Sequence, residues 1–213
     1  GMIFNKKIDT SALFKTTEHK SKYQTKNPIS NILVKNFLSN ILELVEKNNT
    51  KQVHEVGCGE GQISGLLYQN KINVFGSDVS EKALHIAYKE SRKQGMNIEF
   101  INRSIYELDP KFDSSETVLC CEVLEHLEDP EKALKSLLSI TKKNLILSVP
   151  REPIWSILNM IRGKYLFSLG NTPGHIQRWS KKKFINFVSN HSKIDTIRTP
   201  LPWTIVSCKP ILK

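Results

Sequence analysis

The chain predicts an α/β fold of the doubly wound kind, built on a mostly parallel sheet. Three observations predict it. Between residues 51 and 149, short β-branched and apolar runs alternate with stretches of helical periodicity, the pattern of parallel strands crossed by helices. The first run ends in a glycine-rich turn, Gly57-Cys58-Gly59-Glu60-Gly61, with a helix pattern after it. Near the C-terminus the runs 194–198 and 204–208 are joined by a link too short for a crossover, so they pair as a locally antiparallel hairpin. At 213 residues the chain suits one such domain with a proper core and is short for two.

Each element has its own signal. Residues 1–27 are polar, lysine-rich and weakly periodic, which suggests an arm or a short cap over a ligand site; the domain proper spans 28–213. Pro28 suits an early helical position, and Leu33, Phe37, Ile41, Leu44 and Val45 recur at helical spacing. Strand one is 51–56, and Gln62-Ile63-Ser64-Gly65-Leu66-Leu67 reads as the first turns of a helix. Strand two, 72–77, ends in Asp78. Ser80 is an N-cap for a helix over 81–92 that turns Ala83, Leu84, Ile86 and Ala87 inward, and Gly95 closes that region. Strand three is 97–102. Strand four, 116–121, is apolar enough for a fully buried parallel strand. Asp129 as N-cap and Pro130 at the first helical position start the next helix, with Leu134, Leu137, Leu138 and Thr141 on one face. Strand five is 144–149, ended by Pro150. A helix over 153–162 carries Trp155, Leu158 and Ile161, and 163–177 is a loop with Gly170, Pro173, Gly174 and His175. Ser180 caps a last helix with Phe184, Phe187 and Val188 inward. The hairpin turns at Pro200-Leu201-Pro202.

Composition narrows the classes. No apolar run approaches the roughly 18 residues of a membrane span, and no charged-then-apolar leader opens the chain, so a secretory signal is not expected. Cys58, Cys120, Cys121 and Cys208 form no C-x-x-C pair; neither a zinc site nor a thioredoxin-like motif is suggested, and reduced thiols in a cytoplasmic protein are expected. The formal net charge is +10, with lysines spread along the chain. A solvated basic surface accounts for it. An anionic partner such as RNA, a phosphorylated substrate or a membrane surface is the functional alternative, but no aromatic-interleaved RNA motif accompanies the charge.

The chemistry gathers at the glycine turn. Glycines at every second position permit backbone dihedrals and close approaches that a side chain blocks, and a ligand lying there is held by backbone N–H groups. A dinucleotide fingerprint needs G-x-G-x-x-G; its third glycine falls at Gln62, so a nucleotide-dependent oxidoreductase is disfavoured. Asp78 closes the second strand, where a carboxylate accepts both hydroxyls of a ribose. Its bland alternative is a cap for the helix near Ser80. Glu55 has a bland role too, as the acceptor that pins the loop backbone.

Glu55-Val56-Gly57-Cys58-Gly59-Glu60-Gly61 resembles motif I of the class I S-adenosylmethionine-dependent methyltransferases, and Asp78 resembles their motif II acid. Cys121-Glu122-Val123-Leu124-Glu125-His126-Leu127 resembles the E-V-x-E-H-L segment after strand four in the branch that includes ubiquinone-type O-methyltransferases. The resemblance covers about 28–150. It implies a Rossmann-like sheet of seven strands in the order 3-2-1-4-5-7-6 with an antiparallel last strand, S-adenosyl-L-methionine as cofactor and S-adenosyl-L-homocysteine as product. It also implies a cofactor site of Glu55, Gly57, Cys58, Gly59, Gly61, Asp78, Val79, Ser104, Ile105, Glu122 and Val123. Ser104 stands where the family often has an Asp for the adenine amine; its hydroxyl and the Ile105 N–H take that place. The region 151–179 corresponds to an insertion that shapes the acceptor pocket. Tyr23 and Lys26 precede the first helix, where related enzymes touch the methionine end of the cofactor; a surface role is favoured for both.

Three roles stay open for Glu122, Glu125 and His126. They order the loop, or His126 is the general base for an oxygen acceptor, or the set imitates the divalent site of small-RNA 2′-O-methyltransferases together with His175. The expectation adopted is His126 as the catalytic residue and no metal. His19, His54, His85 and His191 have no such company and are expected to be structural or solvated. The acceptor is expected to be a small molecule. RNA or another macromolecule as acceptor, or a non-catalytic module that keeps the cofactor fold, are the alternatives, and oligomeric state is not encoded in any motif.

Overall fold

The structure is a computed structural model and describes residues 28–155 and 176–212. The expected arm at 1–27, the 153–162 helix beyond Trp155 and the loop as far as His175 lie outside the described residues.

The described elements are α1 (Pro28–Lys47), β1 (Gln52–Val56), α2 (Gln62–Gln69), β2 (Asn73–Asp78), α3 (Glu81–Lys93), β3 (Glu99–Asn102), β4 (Ser115–Cys121), α4 (Pro130–Ile140), β5 (Thr141–Pro150), α5 (Lys181–Ser189), β6 (Ser192–Arg198) and β7 (Trp203–Pro210). The strands form one sheet in the order β3-β2-β1-β4-β5-β7-β6. β7 runs antiparallel to both of its neighbours and the other pairings are parallel, as the sequence predicts.

Two apolar layers hold the sheet. On one face α1 and α2 bury Phe37, Leu38, Ile41, Leu66 and Leu67 against Val53, Leu119, Ile146 and Ile205. On the other face α4 and α5 bury Leu134, Leu137, Phe184 and Val188 against Val118, Leu145, Leu147 and Val206. The central strands are therefore covered on both sides, which is why β4 reads as a nearly continuous apolar run.

The predicted caps are in place. Ser80 accepts from the Ala83 N–H at 3.2 Å, Asp129 from Lys132 N–H at 3.0 Å, and Ser180 from Lys183 N–H at 3.2 Å. Several boundaries differ from the sequence reading, β5 among them, which begins at Thr141 rather than at 144. β3 begins at Glu99 rather than at 97. Thr141 belongs to β5, not to the helix face: α4 stops at Ile140, and the Thr141 hydroxyl donates to the Leu137 carbonyl at 2.8 Å. That bond satisfies a terminal helix carbonyl and lets a β-branched residue pass directly into the strand.

Candidate active site

The carboxyl ends of β1, β2 and β4 converge on the glycine turn. Gly57 and Cys58 donate their N–H groups to the Ser77 carbonyl at 2.8 and 3.0 Å, and Gly61 N–H bonds the Cys58 carbonyl at 2.9 Å. Gly57, Gly59 and Gly61 all have positive φ, at 73°, 53° and 82°, a region that side chains disfavour. Their surroundings differ. A Cβ on Gly57 would overlap Val123 Cγ2, and one on Gly61 would meet Phe100 Cζ at 3.0 Å and Ala87 Cβ at 3.1 Å. A Cβ on Gly59 would meet nothing within 4 Å. Gly57 makes room for Val123, and Gly59 alone of the three fronts open space. Cys58 is buried and turns inward, where a Cβ on Gly76 would sit 2.8 Å from its sulfur.

Asp78 holds this turn directly. Its Oδ2 accepts from Gly59 N–H at 2.8 Å and its Oδ1 from Ser80 N–H at 2.8 Å. Each oxygen keeps a second lone pair for a ligand hydroxyl. Asn102, which the sequence reading missed, fixes the same corner: its Nδ2 donates to the Asp78 carbonyl at 3.1 Å and the Val79 carbonyl at 3.0 Å. Val79 is 73% exposed, an apolar side chain standing beside Asp78. Across the turn, Ser104 caps the short helical turn Ile105–Glu107 by accepting from Tyr106 N–H at 3.2 Å, and the Ile105 side chain is buried. The hydroxyl hydrogen of Ser104 remains its donor.

Glu55 lies under the turn. Its Oε1 accepts from both the backbone N–H and the hydroxyl of Ser64, at 3.0 and 2.6 Å. Gly61, the N-cap of α2, has no side chain to cap with, and the strand carboxyl does that work from a distance. Burial is the main reason its pKa is pushed up to about 8, against the two Ser64 bonds that lower it. Next to it, His54 is fully buried. Its Nδ1 lies 2.7 Å from the Asp113 carbonyl and its Nε2 2.7 Å from Ser77 Oγ. A carbonyl only accepts, so Nδ1 carries the proton and Nε2 accepts from Ser77. Burial lowers the pKa of this ring, so the structural expectation for His54 holds.

The acidic segment after β4 adjoins the cradle through Val123. Glu122 sits at φ 60°, a non-glycine residue in the left-handed region, a conformation that costs about 1–2 kcal/mol and clusters at functional sites. Its N–H donates to the Ser148 carbonyl at 3.1 Å, and the Ser148 hydroxyl lies 3.4 Å from its Oε1. Burial, then the neighbouring Glu125, pushes the Glu122 carboxyl well above its ordinary range. Burial raises Glu125 as well, opposed by the hydrogen bond from Glu122 and by the charge of His126. Both carboxyls thus favour the neutral form, Glu122 the more strongly. His126 Nε2 stands 3.5 Å from Glu125 Oε1. Ser148 was also missed in the sequence.

The two ends of the 151–179 region meet beside this segment. Arg151 bridges Trp179, and Glu152 N–H donates to the Trp179 carbonyl at 2.9 Å. Ile176 and Gln177 N–H groups both donate to the Glu125 carbonyl at 2.9 Å, and Gln177 Nε2 reaches the Leu127 carbonyl at 3.2 Å. Among the described residues no group of three or more His, Cys, Asp or Glu is arranged to hold a metal; His175 lies outside them.

Residues 54–149, from the buried His54 to the end of β5, match the methyltransferase domain family. That match supports a class I S-adenosylmethionine-dependent methyltransferase over those residues. A methyltransferase domain implies S-adenosylmethionine as methyl donor. The ubiquinone biosynthesis O-methyltransferase of Coxiella burnetii is 28% identical over 134 residues, 60% of this chain and 57% of that one. This chain therefore matches a little over half the length of that curated relative. Magnesium protoporphyrin IX methyltransferase from Synechocystis, solved with S-adenosylhomocysteine bound, superposes with a TM-score of 0.68 at 21% identity, over 90% of this chain and 92% of that one. A small RNA methyltransferase superposes with a TM-score of 0.67 at 20% identity, over 93% of this chain and 27% of that one. At these identities the two structures share the fold.

Proposed function

We propose that this methyltransferase moves the sulfonium methyl of S-adenosylmethionine to an oxygen of a small acceptor. The observation that carries the reading is the contact of Val123 with Gly57, which sets the Glu122–Glu125–His126 cluster directly against the cofactor cradle. Asp78 takes the ribose hydroxyls, and Val79 flanks the adenine opposite Ser104 and Ile105. Gly59 leaves room for the ligand, with Glu55 holding the floor and Cys58, Gly61 and Glu122 completing the wall. The acceptor enters beside 122–127, where the ends of the 151–179 region join, and that region shapes its pocket. The cofactor supplies an already activated methyl group; the chain supplies position and exclusion of water. His126 takes the acceptor's proton, and the Glu125 carboxyl beside its Nε2 stabilises the imidazolium that results. Ser148 and Glu122 hold Glu125 in that place.

Two observations support a small acceptor over RNA: the curated relative acts in ubiquinone biosynthesis by its name, and the described segments carry no aromatic-interleaved basic motif. Four free cysteines, all buried, and no helix among the described residues long and apolar enough to cross a membrane are consistent with the proposed cytoplasmic setting. The test is transfer from methyl-labelled cofactor to catechol-like phenols, amines and RNA in parallel, after calorimetric titration with S-adenosylhomocysteine. Labelled phenol with unlabelled RNA is the expected result. Labelled RNA alone overturns the small-acceptor reading, and binding of NAD without S-adenosylhomocysteine overturns the cofactor site.

A further inference from the structure

The segment from Arg103 to Asp113 leads from the end of β3 to the start of β4 and carries Ser104 and Ile105. A circuit of polar contacts outside the Glu122–His126 cluster ties it to the sheet. Arg103 N–H donates to the Asp78 carbonyl at 3.1 Å. Arg103 Nε lies 3.1 Å from Asp113 Oδ2, which also accepts from Asp109 N–H at 2.7 Å. The Asp113 carbonyl accepts from His54 Nδ1 at 2.7 Å, and His54 Nε2 accepts from Ser77 Oγ at 2.7 Å. Ser77 precedes Asp78 in β2, so the circuit closes: Asp78, Arg103, Asp113, His54, Ser77. Its last member also holds the glycine turn, through the Ser77 carbonyl that accepts from Gly57 and Cys58 N–H.

Burial shows what the circuit has to overcome. Asp113, His54 and Ser77 are all fully buried, and a buried polar group is unfavourable unless it is partnered. An aliphatic side chain at 54 would fill the strand face without that cost. A neutral imidazole instead gives one N–H to a carbonyl and takes one O–H from a hydroxyl at the same time. The apolar contacts of the segment do a different job. Ile105 and Leu108 are buried in the layer with Val56 and Val118, and such contacts are non-directional. They fix how deep the segment sits, whereas the circuit fixes its register on the strands. A shift of that register would carry Ser104 away from the Asp78 corner. It would also displace the Ile105 N–H, which opens the short helical turn and has no acceptor within it.

We propose that Arg103, Asp113 and His54 are positioning residues for adenine recognition: the circuit sets Ser104 and the Ile105 N–H at a fixed offset from Asp78, so that base and ribose are read together. The proposal rests on the cofactor site proposed above. In adenine the amine donates and the adjacent ring nitrogen accepts; in hypoxanthine both roles are reversed. A Ser104 oxygen and an Ile105 N–H held in place therefore favour the first base over the second.

The test titrates the full chain by calorimetry with S-adenosylhomocysteine and with S-inosylhomocysteine, which carries hypoxanthine, and reads the ratio of the two affinities. Wild type should prefer the adenine ligand by at least about tenfold. Two variants each break one bond of the imidazole. His54→Asn sets its amide at the level of Nδ1 and keeps the Asp113 carbonyl; His54→Gln sets its amide at the level of Nε2 and keeps Ser77. His54→Gln should lower the ratio at least about fivefold, and His54→Asn should stay within about twofold of wild type. Arg103→Gln, at a partly exposed position, frees the other end of the segment and should lower the ratio as His54→Gln does, which keeps the proposal testable if the buried variants do not fold. A merely structural role would lower both affinities together and leave the ratio unmoved. That result, an equal fall of the ratio in His54→Asn and His54→Gln, or a wild type that binds both ligands equally overturns the proposal and leaves the cofactor site standing. A wild type that binds neither ligand overturns the cofactor reading itself, and the proposal with it.

Discussion

Gly57 and Val123 occupy each other's space: the missing Cβ of the first is where the Cγ2 of the second lies. This contact joins the strand-one turn to the segment after strand four, and it separates the roles of glycines that look equivalent in the sequence. Gly57→Ala should lose stability, by about 1–3 kcal/mol from overpacking and left-handed strain. Val123→Ala in the same chain should restore part of that loss. Gly59→Ala meets no neighbour, so only its strained φ counts against the fold, while the new methyl points into the open space proposed for the ligand. Its melting curve should move less than that of Gly57→Ala, and its affinity for S-adenosylhomocysteine should fall more. The reverse order in calorimetry and thermal unfolding would show that Gly57 fronts the ligand.

Asp78 has two duties, and its variants should divide them. Asp78→Ala removes the acceptor for Gly59 and Ser80 N–H groups, together with the proposed charged acceptor of the ribose. Cofactor binding should weaken by about 2–4 kcal/mol. Asp78→Asn keeps one carbonyl oxygen and should fall between wild type and alanine. An unchanged dissociation constant in folded Asp78→Ala places the ribose elsewhere.

What the sequence discloses and what it hides follow from the range of the interactions. Strand order, the three side-chain N-caps and Pro130 at the start of α4 rest on local pattern or on a family motif, and the structure has them in place. Asn102 and Ser148 act across strands, on residues 23 to 26 positions away, and no periodicity marks such a pair. The turn glycines read alike because their difference lies in Val123, Phe100 and Ala87, which only the fold brings near. Thr141 was misplaced because an apolar spacing that continues a helix also begins a buried strand when no loop intervenes.

Glu55 gives a pH prediction. Its folded pKa, about 8, lies above the ordinary glutamate value, so folding favours the protonated form. The stability this group contributes is full below the ordinary value and is lost as pH rises through about 8. The slope is at most about 1.4 kcal/mol per pH unit. Without cofactor, wild-type melting temperature should therefore fall between pH 5 and pH 8 more steeply than that of Glu55→Gln, which keeps an acceptor for Ser64 and has no proton to lose. Parallel curves for the two proteins would show that Glu55 does not titrate in this range.

The last prediction concerns whether Glu125 serves His126 or only the loop. Its backbone carbonyl holds Ile176 and Gln177, while its side chain faces His126 Nε2 and adjoins the Glu122 carboxyl. Substituting the side chain leaves the backbone bonds in place, so loop order and proton chemistry separate. If His126 is the base for an oxygen acceptor, His126→Ala should keep cofactor affinity and lower kcat by about 10²–10⁴. The rise of rate with pH as the base loses its proton should vanish in that variant. Glu125→Gln should lower kcat by a smaller factor, about tenfold, because the carboxyl that stabilises the imidazolium is gone while the ring remains. Glu122→Gln retains an N–H donor toward Glu125 and should stay within about threefold of wild type. Loss of cofactor affinity and melting temperature in step across all three variants, with the pH profile unmoved, would make the cluster a scaffold. Activity abolished by EDTA and restored by a divalent ion would make it a metal site instead.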